Sequence, residues 1–449
     1  MKAHIALHTL LTTALIATCL PGATPDARAQ WPQWGGPNRN FMVESDLLAD
    51  RWPEGGPRQI WKRELGDGYS SVTVDDGVLY TLFRRSTNDS HERVTALDAA
   101  TGGTIWTYDI PSPPTAGPGE QWPFGPNATP LVVGDRLYAT TANAKLLCLE
   151  KRTGRPCWQV DLGGTQTEPI PNSHGYSASP IAYKNTVVVP ADRRRLGGQS
   201  NRSEEERAQS DSGENEANHT LAAFDQTSGN LVWIGGEFSM GHSSPILITF
   251  AGREQLVYFA KPGLMSFDPA DGRLLWQHTM DLDMGCDAIL TPVWNGQDLF
   301  YVATHNTKVG GHAIRLAGSD GRFAPETLWF KSRIHFGMTA PILIDNYLYG
   351  CSSRIVVGAN FETGKRLCAK RAFEGGTCIY GGGKLIILDM NGKLGLATVT
   401  PEKIEVHSTC QVTERESLTP PTLAGSTLYL RDRKHILALD LSETAIAKR

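Results

Sequence analysis

The sequence predicts an all-β fold: an eight-bladed β-propeller of four-stranded antiparallel blades, closed by an N-terminal strand. Three observations predict it. A strand–turn–strand unit recurs along the chain, a tryptophan follows the turn glycine at a fixed offset, and the last copy stops one strand short. A repeated unit that cannot bury both faces alone must stack on its neighbours.

The clearest copies lie in the first two thirds of the chain. One reads Val78-Leu79-Tyr80, Val94-Thr95-Ala96-Leu97-Asp98, Thr101-Gly102 and Ile105-Trp106. The order returns with Leu137-Tyr138, Leu147-Cys148-Leu149-Glu150, Thr153-Gly154 and Trp158. It returns again in Leu221–Asp225, Ser228-Gly229 and Trp233, and in Val257-Tyr258, Met265–Asp268, Asp271-Gly272 and Trp276. Short apolar runs make strands. Asp bonds nearby amides and Gly accepts φ > 0, so Asp-x-x-Thr-Gly makes a tight turn. An indole on each outer strand suits the wedge between blades, because it buries a large area.

Later copies are degenerate. A fifth runs from Leu299-Phe300-Tyr301 to Trp329; a sixth has Glu362-Thr363-Gly364, with Cys368 where tryptophan is expected. A seventh is read from Leu385-Ile386-Ile387, Asn391-Gly392 and residues 404–407. The eighth ends with Leu437-Ala438-Leu439-Asp440 and lacks its outer strand. Ile60-Trp61-Lys62-Arg63-Glu64-Leu65, upstream of the first copy, supplies that strand and closes the ring.

The flanks divide the chain into residues 1–29 as a signal peptide, 30–59 as an N-terminal extension, 60–443 as the propeller and 444–449 as a tail. Lys2, the apolar run from Ile5 to Leu20 and the small-x-small Ala27-Arg28-Ala29 make the signal, which implies an exported, periplasmic or secreted protein. Thr18 disfavours lipid anchoring at Cys19. No later run is long and apolar enough to span a bilayer. Residues 193–219 carry the runs Arg193-Arg194-Arg195 and Glu204-Glu205-Glu206 in polar sequence, and are expected to be a mobile insertion. Export permits disulfides, and Cys148 and Cys157 flank one turn, so a bond between them is expected. A net charge of −4 offers no case for nucleic acid.

The mature start, Trp31-Pro32-Gln33-Trp34-Gly35-Gly36-Pro37-Asn38-Arg39, resembles the opening of bacterial pyrroloquinoline-quinone (PQQ)-like repeat proteins. So do Trp52-Pro53, Gly56-Pro57, Trp61 and Gly68-Tyr69-Ser70-Ser71. Ala96-Leu97-Asp98, Thr101-Gly102 and Trp106 resemble the tryptophan-docking motif of quinoprotein dehydrogenases and of the outer-membrane assembly lipoprotein sharing that propeller. The resemblance implies structural docking roles for Trp61, Trp106, Trp158, Trp233, Trp276 and Trp329. It does not decide function, because the family mixes PQQ enzymes with proteins that bind no quinone. The enzymes carry adjacent disulfide-bonded cysteines, and this chain has no Cys-Cys pair.

Ser/Thr-x-Pro signals precede the first strand of successive blades, in segments that pass near the central channel. They nominate Tyr69, Asn127, His174, Tyr176, His242, Asp287, His335 and Glu416 as channel or ligand residues. Such a ring binds a small polar ligand or a metal, or simply lines the channel. Asp281, Asp283 and Asp287 alternate around Gly285 like the start of a calcium loop, without the later bidentate carboxylate. Together these readings favour a monomeric, non-catalytic binding or scaffold module for a protein or polymer partner, with no cofactor. The alternatives are a PQQ- and calcium-dependent dehydrogenase of alcohols or sugars, with unassigned catalytic residues, and a small-ligand or carbohydrate-binding propeller.

Overall fold

The structure is a computed structural model that describes residues 30–45, 48–113, 125–163, 175–197, 219–239, 241–282, 288–304, 310–319, 321–336, 339–414 and 416–443. The signal, the tail, most of the 193–219 insertion, His174, Asp283 and Asp287 lie outside the described residues.

Each repeat folds as an antiparallel sheet, and eight sheets form the ring. Blade one takes its strands, from the axis outward, from Thr73–Asp75, Val78–Phe83, His91–Asp98 and Thr104–Pro111. The middle two are almost wholly buried, because both faces meet a neighbouring blade. Blade eight takes Thr422–Ala424, Thr427–Arg431 and His435–Asp440 from the C-terminus. Its outer strand is Arg58–Glu64, which includes the last two residues assigned to the extension. Trp61 stands opposite Ala438, and Gln59 opposite Leu439, so the ring closes as the unfinished last copy predicts.

The outer strands explain the spacing of glycine and tryptophan. Five of the six tryptophans reach the turn of the next blade and lie on its glycine. A Cβ on Gly102 would stand 2.7 Å from the Trp61 ring, one on Gly154 2.5 Å from Trp106, one on Gly229 2.6 Å from Trp158 and one on Gly364 2.8 Å from Trp329. Gly272 lies under Trp233 in the same way. These glycines also sit at positive φ, so the turn and the indole each demand that residue. The indole N–H then donates to the same turn: Trp61 to the Ala99 carbonyl at 3.0 Å, Trp106 to Lys151 at 2.9 Å, Trp158 to Gln226 at 3.1 Å and Trp329 to Phe361 at 2.7 Å. Trp276 differs. Its N–H donates to Gln255 Oε1 at 2.7 Å within its own blade, and its ring tilts against Phe300 of blade five.

Two seams lack this indole brace. In blade six, Cys368 stands opposite Gly358, and its thiol meets the Thr400 carbonyl at 3.8 Å. In blade seven the equivalent residue is Ser408, opposite Leu396. Trp52 of the extension comes to this place: its backbone N–H donates to Ser408 Oγ at 2.9 Å, and its indole is buried in the apolar cluster that includes blades seven and eight. The extension also adds Met42–Val43 as a fifth, parallel strand beside Thr377–Gly381 of blade seven.

The expected Cys148–Cys157 disulfide is not present; both thiols are free. A bulge between Pro156 and Trp158 puts Trp158, not Cys157, in register opposite Cys148, and the Cys157 sulfur lies beside both the Cys148 thiol and Arg136. All eight outer strand pairs carry a bulge or register shift at the tryptophan position, occupied by Cys368 and Ser408 in blades six and seven.

One buried titratable group in this framework has a pH consequence. His219 opens the third strand of blade three, and its Nδ1 is buried with no partner. Burial lowers its pKa from 6.5 to about 4. The unfolded chain therefore binds the proton between those values while the folded protein does not. Stability is expected to fall by on the order of 1 kcal/mol per unit as pH drops through that window. Denaturation midpoints at pH 7 and 4.5 check this: His219→Gln should flatten the difference, and an unchanged pH slope in the variant contradicts the assignment.

Candidate functional site

The strand order gives the channel two unlike ends. One carries the turns between first and second strands. The other carries the segments that join each blade to the next.

The N-terminal extension fills the channel from the first end toward the start of the inner strands. Trp31 exchanges backbone bonds with Val74 of blade one, and Val132 of blade two donates to the Pro32 carbonyl. Trp34 Nε1 donates to Thr291 Oγ1 at 3.0 Å, just before blade five. Arg39 donates to the Pro180 carbonyl of blade three at 3.0 Å and to Gln33 Oε1 at 3.1 Å. Tyr380 of blade seven donates to the Phe41 carbonyl, and Ser45 donates to Gly425 of blade eight. A segment touching blades on all sides of the axis lies across the channel. Its Arg39 is buried, with Nε and Nη2 unpartnered, and burial lowers its pKa to about 9.

Inside the channel, the Ser/Thr residues that end the inter-blade segments make a belt. Ser71 N–H donates to Thr129 Oγ1 at 3.2 Å, Thr129 N–H to Ser179 Oγ at 2.9 Å, and Ser179 N–H to Ser244 Oγ at 2.9 Å. Thr419 Oγ1 donates to the Tyr69 carbonyl at 3.0 Å and carries the belt from blade eight into blade one. The Ser/Thr at this position is thus a blade-to-blade clasp, because its hydroxyl serves an amide that no strand ladder reaches.

At the second end the structure brings some sequence-nominated residues together. Tyr69 donates to Glu416 Oε2 at 3.0 Å across the seam between blades eight and one. Burial, with the Glu416 charge behind it, raises the Tyr69 pKa, so the phenol stays protonated and donating. His242 Nδ1 pairs with Ser177 Oγ at 2.7 Å across blades three and four. Asn127 and His335 are half-buried in their own segments. Tyr176 turns away: its ring fills the wedge between blades two and three, and its hydroxyl donates to the Pro190 carbonyl at 2.9 Å. Asp281 is exposed. Among the described residues no three His, Cys, Asp or Glu side chains group as a metal site.

The seam between blades eight and one carries a cavity of about 500 Å³, lined by Glu64, Gly66, Asp67, Arg85, Glu416, Arg433 and Lys434. Arg433 holds Asp67 in a bidentate pair at 3.0 and 3.0 Å. Below it the fully buried Arg431 donates to the carbonyls of Gly66, Ser70 and Leu82 at 3.1, 3.1 and 2.8 Å, and to Thr81 Oγ1 at 3.2 Å. One guanidinium thereby fixes the closing seam of the ring. The sequence reading missed Asp67, Arg431 and Arg433; the Arg431-Asp432-Arg433-Lys434 run and the glycine-bracketed Asp67 are the features that could have marked this site. Nothing in the repeat alone pairs them.

Fold and site together define a closed propeller whose channel is crossed at one end by its own N-terminal segment and ringed at the other by charged and polar inter-blade segments. The chain belongs to the PQQ-like propeller family whose model is described as outer membrane protein assembly factor BamB, matched over residues 52–206 and 90–370. It is 24% identical over 371 residues to outer membrane protein assembly factor BamB of Moranella endobia, covering 75% of this chain and 89% of that protein. It is 32% identical over 108 residues to quinoprotein ethanol dehydrogenase of Pseudomonas putida, and there spans only 16% of the dehydrogenase. The crystal structure of BamB from Moraxella catarrhalis is similar with a TM-score of 0.56 and 16% identity, covering 85% of this chain and 97% of that one. That likeness bears on the fold.

Proposed function

We propose that this chain is an exported, non-catalytic binding propeller that holds a protein partner at the inter-blade end of its channel. The observation that carries this reading is the N-terminal segment lying across the opposite end. The crossed channel leaves the second end as the face for recognition, and its rim is rich in charged groups suited to a protein surface. The extent of the likeness supports it: the chain parallels nearly the whole of one BamB but a small part of the dehydrogenase. On that likeness, the partner belongs to outer-membrane protein assembly.

The quinone-dependent alternative calls for a carboxylate, an amide and a cation grouped in the channel. Among the described residues Gln33 and Arg39 supply the last two, on the crossing segment itself, and no carboxylate set for an ion accompanies them. That supports the non-catalytic reading over the quinone-dependent one. Isothermal titration with PQQ and calcium, followed by dye-linked oxidation of alcohols and aldoses, tests both readings. No binding and no turnover is the expected result. One-to-one binding with turnover overturns the proposal, and binding without turnover points to a small-ligand propeller. In a host strain, loss of the chain should lower the level of assembled outer-membrane β-barrels, and Arg433→Glu should lower it partly.

A further inference from the structure

Among the described residues, two cysteines face each other across the seam between blades six and seven. Cys351 lies in the second strand of blade six, Tyr347–Ser352, and Cys378 in the first strand of blade seven, Thr377–Gly381. Their sulfurs are 3.8 Å apart, and both side chains are buried in one apolar cluster. This is also the seam where Cys368 replaces the bracing tryptophan and leaves only a weak contact between its thiol and Thr400. Each thiol belongs to a different blade, so a bond between them would tie the blades together where the outer brace is missing.

We infer that Cys351 and Cys378 are a disulfide-forming site that staples blade six to blade seven. Closing 3.8 Å to bonding distance needs side-chain rotation and a small approach of two already touching strands. The reaction is thiol–disulfide exchange with a protein or small-molecule disulfide. One cysteine, as thiolate, attacks the donor disulfide and releases the first donor thiolate. The second cysteine, as thiolate, attacks the resulting mixed disulfide and releases the other. The two cysteines lose two electrons, the donor disulfide becomes a dithiol, and the two cysteine protons end on that dithiol. Exchange needs thiolate, and the packed seam disfavours it: the Cys351 thiol is held protonated by its bond with Cys378 and by burial. The bond therefore forms while the blades are docking rather than afterwards, and once formed it is shielded from reductant.

The first measurement needs no variant. The full chain is refolded with oxidised glutathione, excess thiols are blocked with N-ethylmaleimide under denaturing conditions, and unreduced peptides are mapped by mass spectrometry. A linked pair containing residues 351 and 378, about 2 Da lighter than the two free peptides, is expected. Both cysteines recovered as maleimide adducts overturns the inference. As a second measurement, reductant present throughout refolding should lower Tm by roughly 4 °C in the wild type. Reductant added only after folding should leave Tm unchanged, and the Cys351→Ala, Cys378→Ala double variant should respond to neither. Equal Tm under both refolding conditions in the wild type would count against a staple. A link that dithiothreitol removes readily from the native protein would count against the shielded form.

Discussion

Trp329→Ala should destabilise the protein by about 3–5 kcal/mol, read as a lower midpoint in equilibrium chemical denaturation. Trp329 is 8% exposed, donates to the Phe361 carbonyl and lies on Gly364, so its loss opens a cavity between blades five and six and leaves a buried carbonyl short of a donor. The glycine cannot compensate, because it has no side chain to extend. Trp61→Ala should cost less per atom removed, since that indole is only half-buried. Trp329→Phe keeps most of the apolar contact and loses the hydrogen bond, so it should fall between the wild type and the alanine variant. A Trp329→Ala midpoint equal to wild type would show that the seams are held by the inner strands alone.

That prediction rests on a pairing only half legible in the sequence. The Gly-to-Trp offset marks each outer strand, because turn and strand are local and each residue type answers a local demand. The offset does not show that Trp106 lies on Gly154 rather than on its own Gly102, since that contact exists only once the ring has formed. The bulge before each tryptophan has no residue signature either, and it takes Cys157 out of register with Cys148. Trp52 was legible only as part of the opening resemblance. Its place beside Ser408 is set by chain closure across 356 residues. In the site, the Ser/Thr-x-Pro alignment placed Tyr69 and Glu416 at one level, and they meet across 347 residues. The same alignment misread Tyr176, because an aromatic hydroxyl near a channel also satisfies itself on a core carbonyl. Arg39 and Arg431 escaped it altogether. A buried arginine looks like any surface arginine until the carbonyls around it are known.

The second large effect concerns another such arginine. Arg84→Met should cost about 3–5 kcal/mol at pH 7, because it strands a buried carboxylate. Arg84 and Glu92 pair at 2.6 Å with side chains 1% and 0% exposed. Glu92 also accepts Ser112 Oγ at 2.8 Å and the Ala142 N–H of blade two at 3.0 Å. The backbone of Arg84 exchanges bonds with Asp67, which Arg433 holds at the blade eight–one cavity, so the pair also supports the candidate site. Burial raises the Glu92 pKa, and the charge of Arg84 is the largest influence opposing that rise. Removing Arg84 raises it further. A carboxyl whose folded pKa lies above its unfolded value binds its proton more tightly when folded. Its contribution is therefore complete below the unfolded pKa of about 4.5 and is lost as pH climbs through the folded value. The penalty of Arg84→Met should accordingly shrink in acid and grow toward neutral pH. Adding Glu92→Gln should recover most of it at pH 7, since the amide keeps an acceptor for Ser112 and Ala142 without a charge. Denaturation curves for the wild type, both single variants and the double variant at pH 4.5 and 7 measure this directly. A pH-independent loss in Arg84→Met, unrelieved by Glu92→Gln, would mean that Arg84 acts through packing and its carbonyl contacts, and that the carboxylate is not the group left stranded.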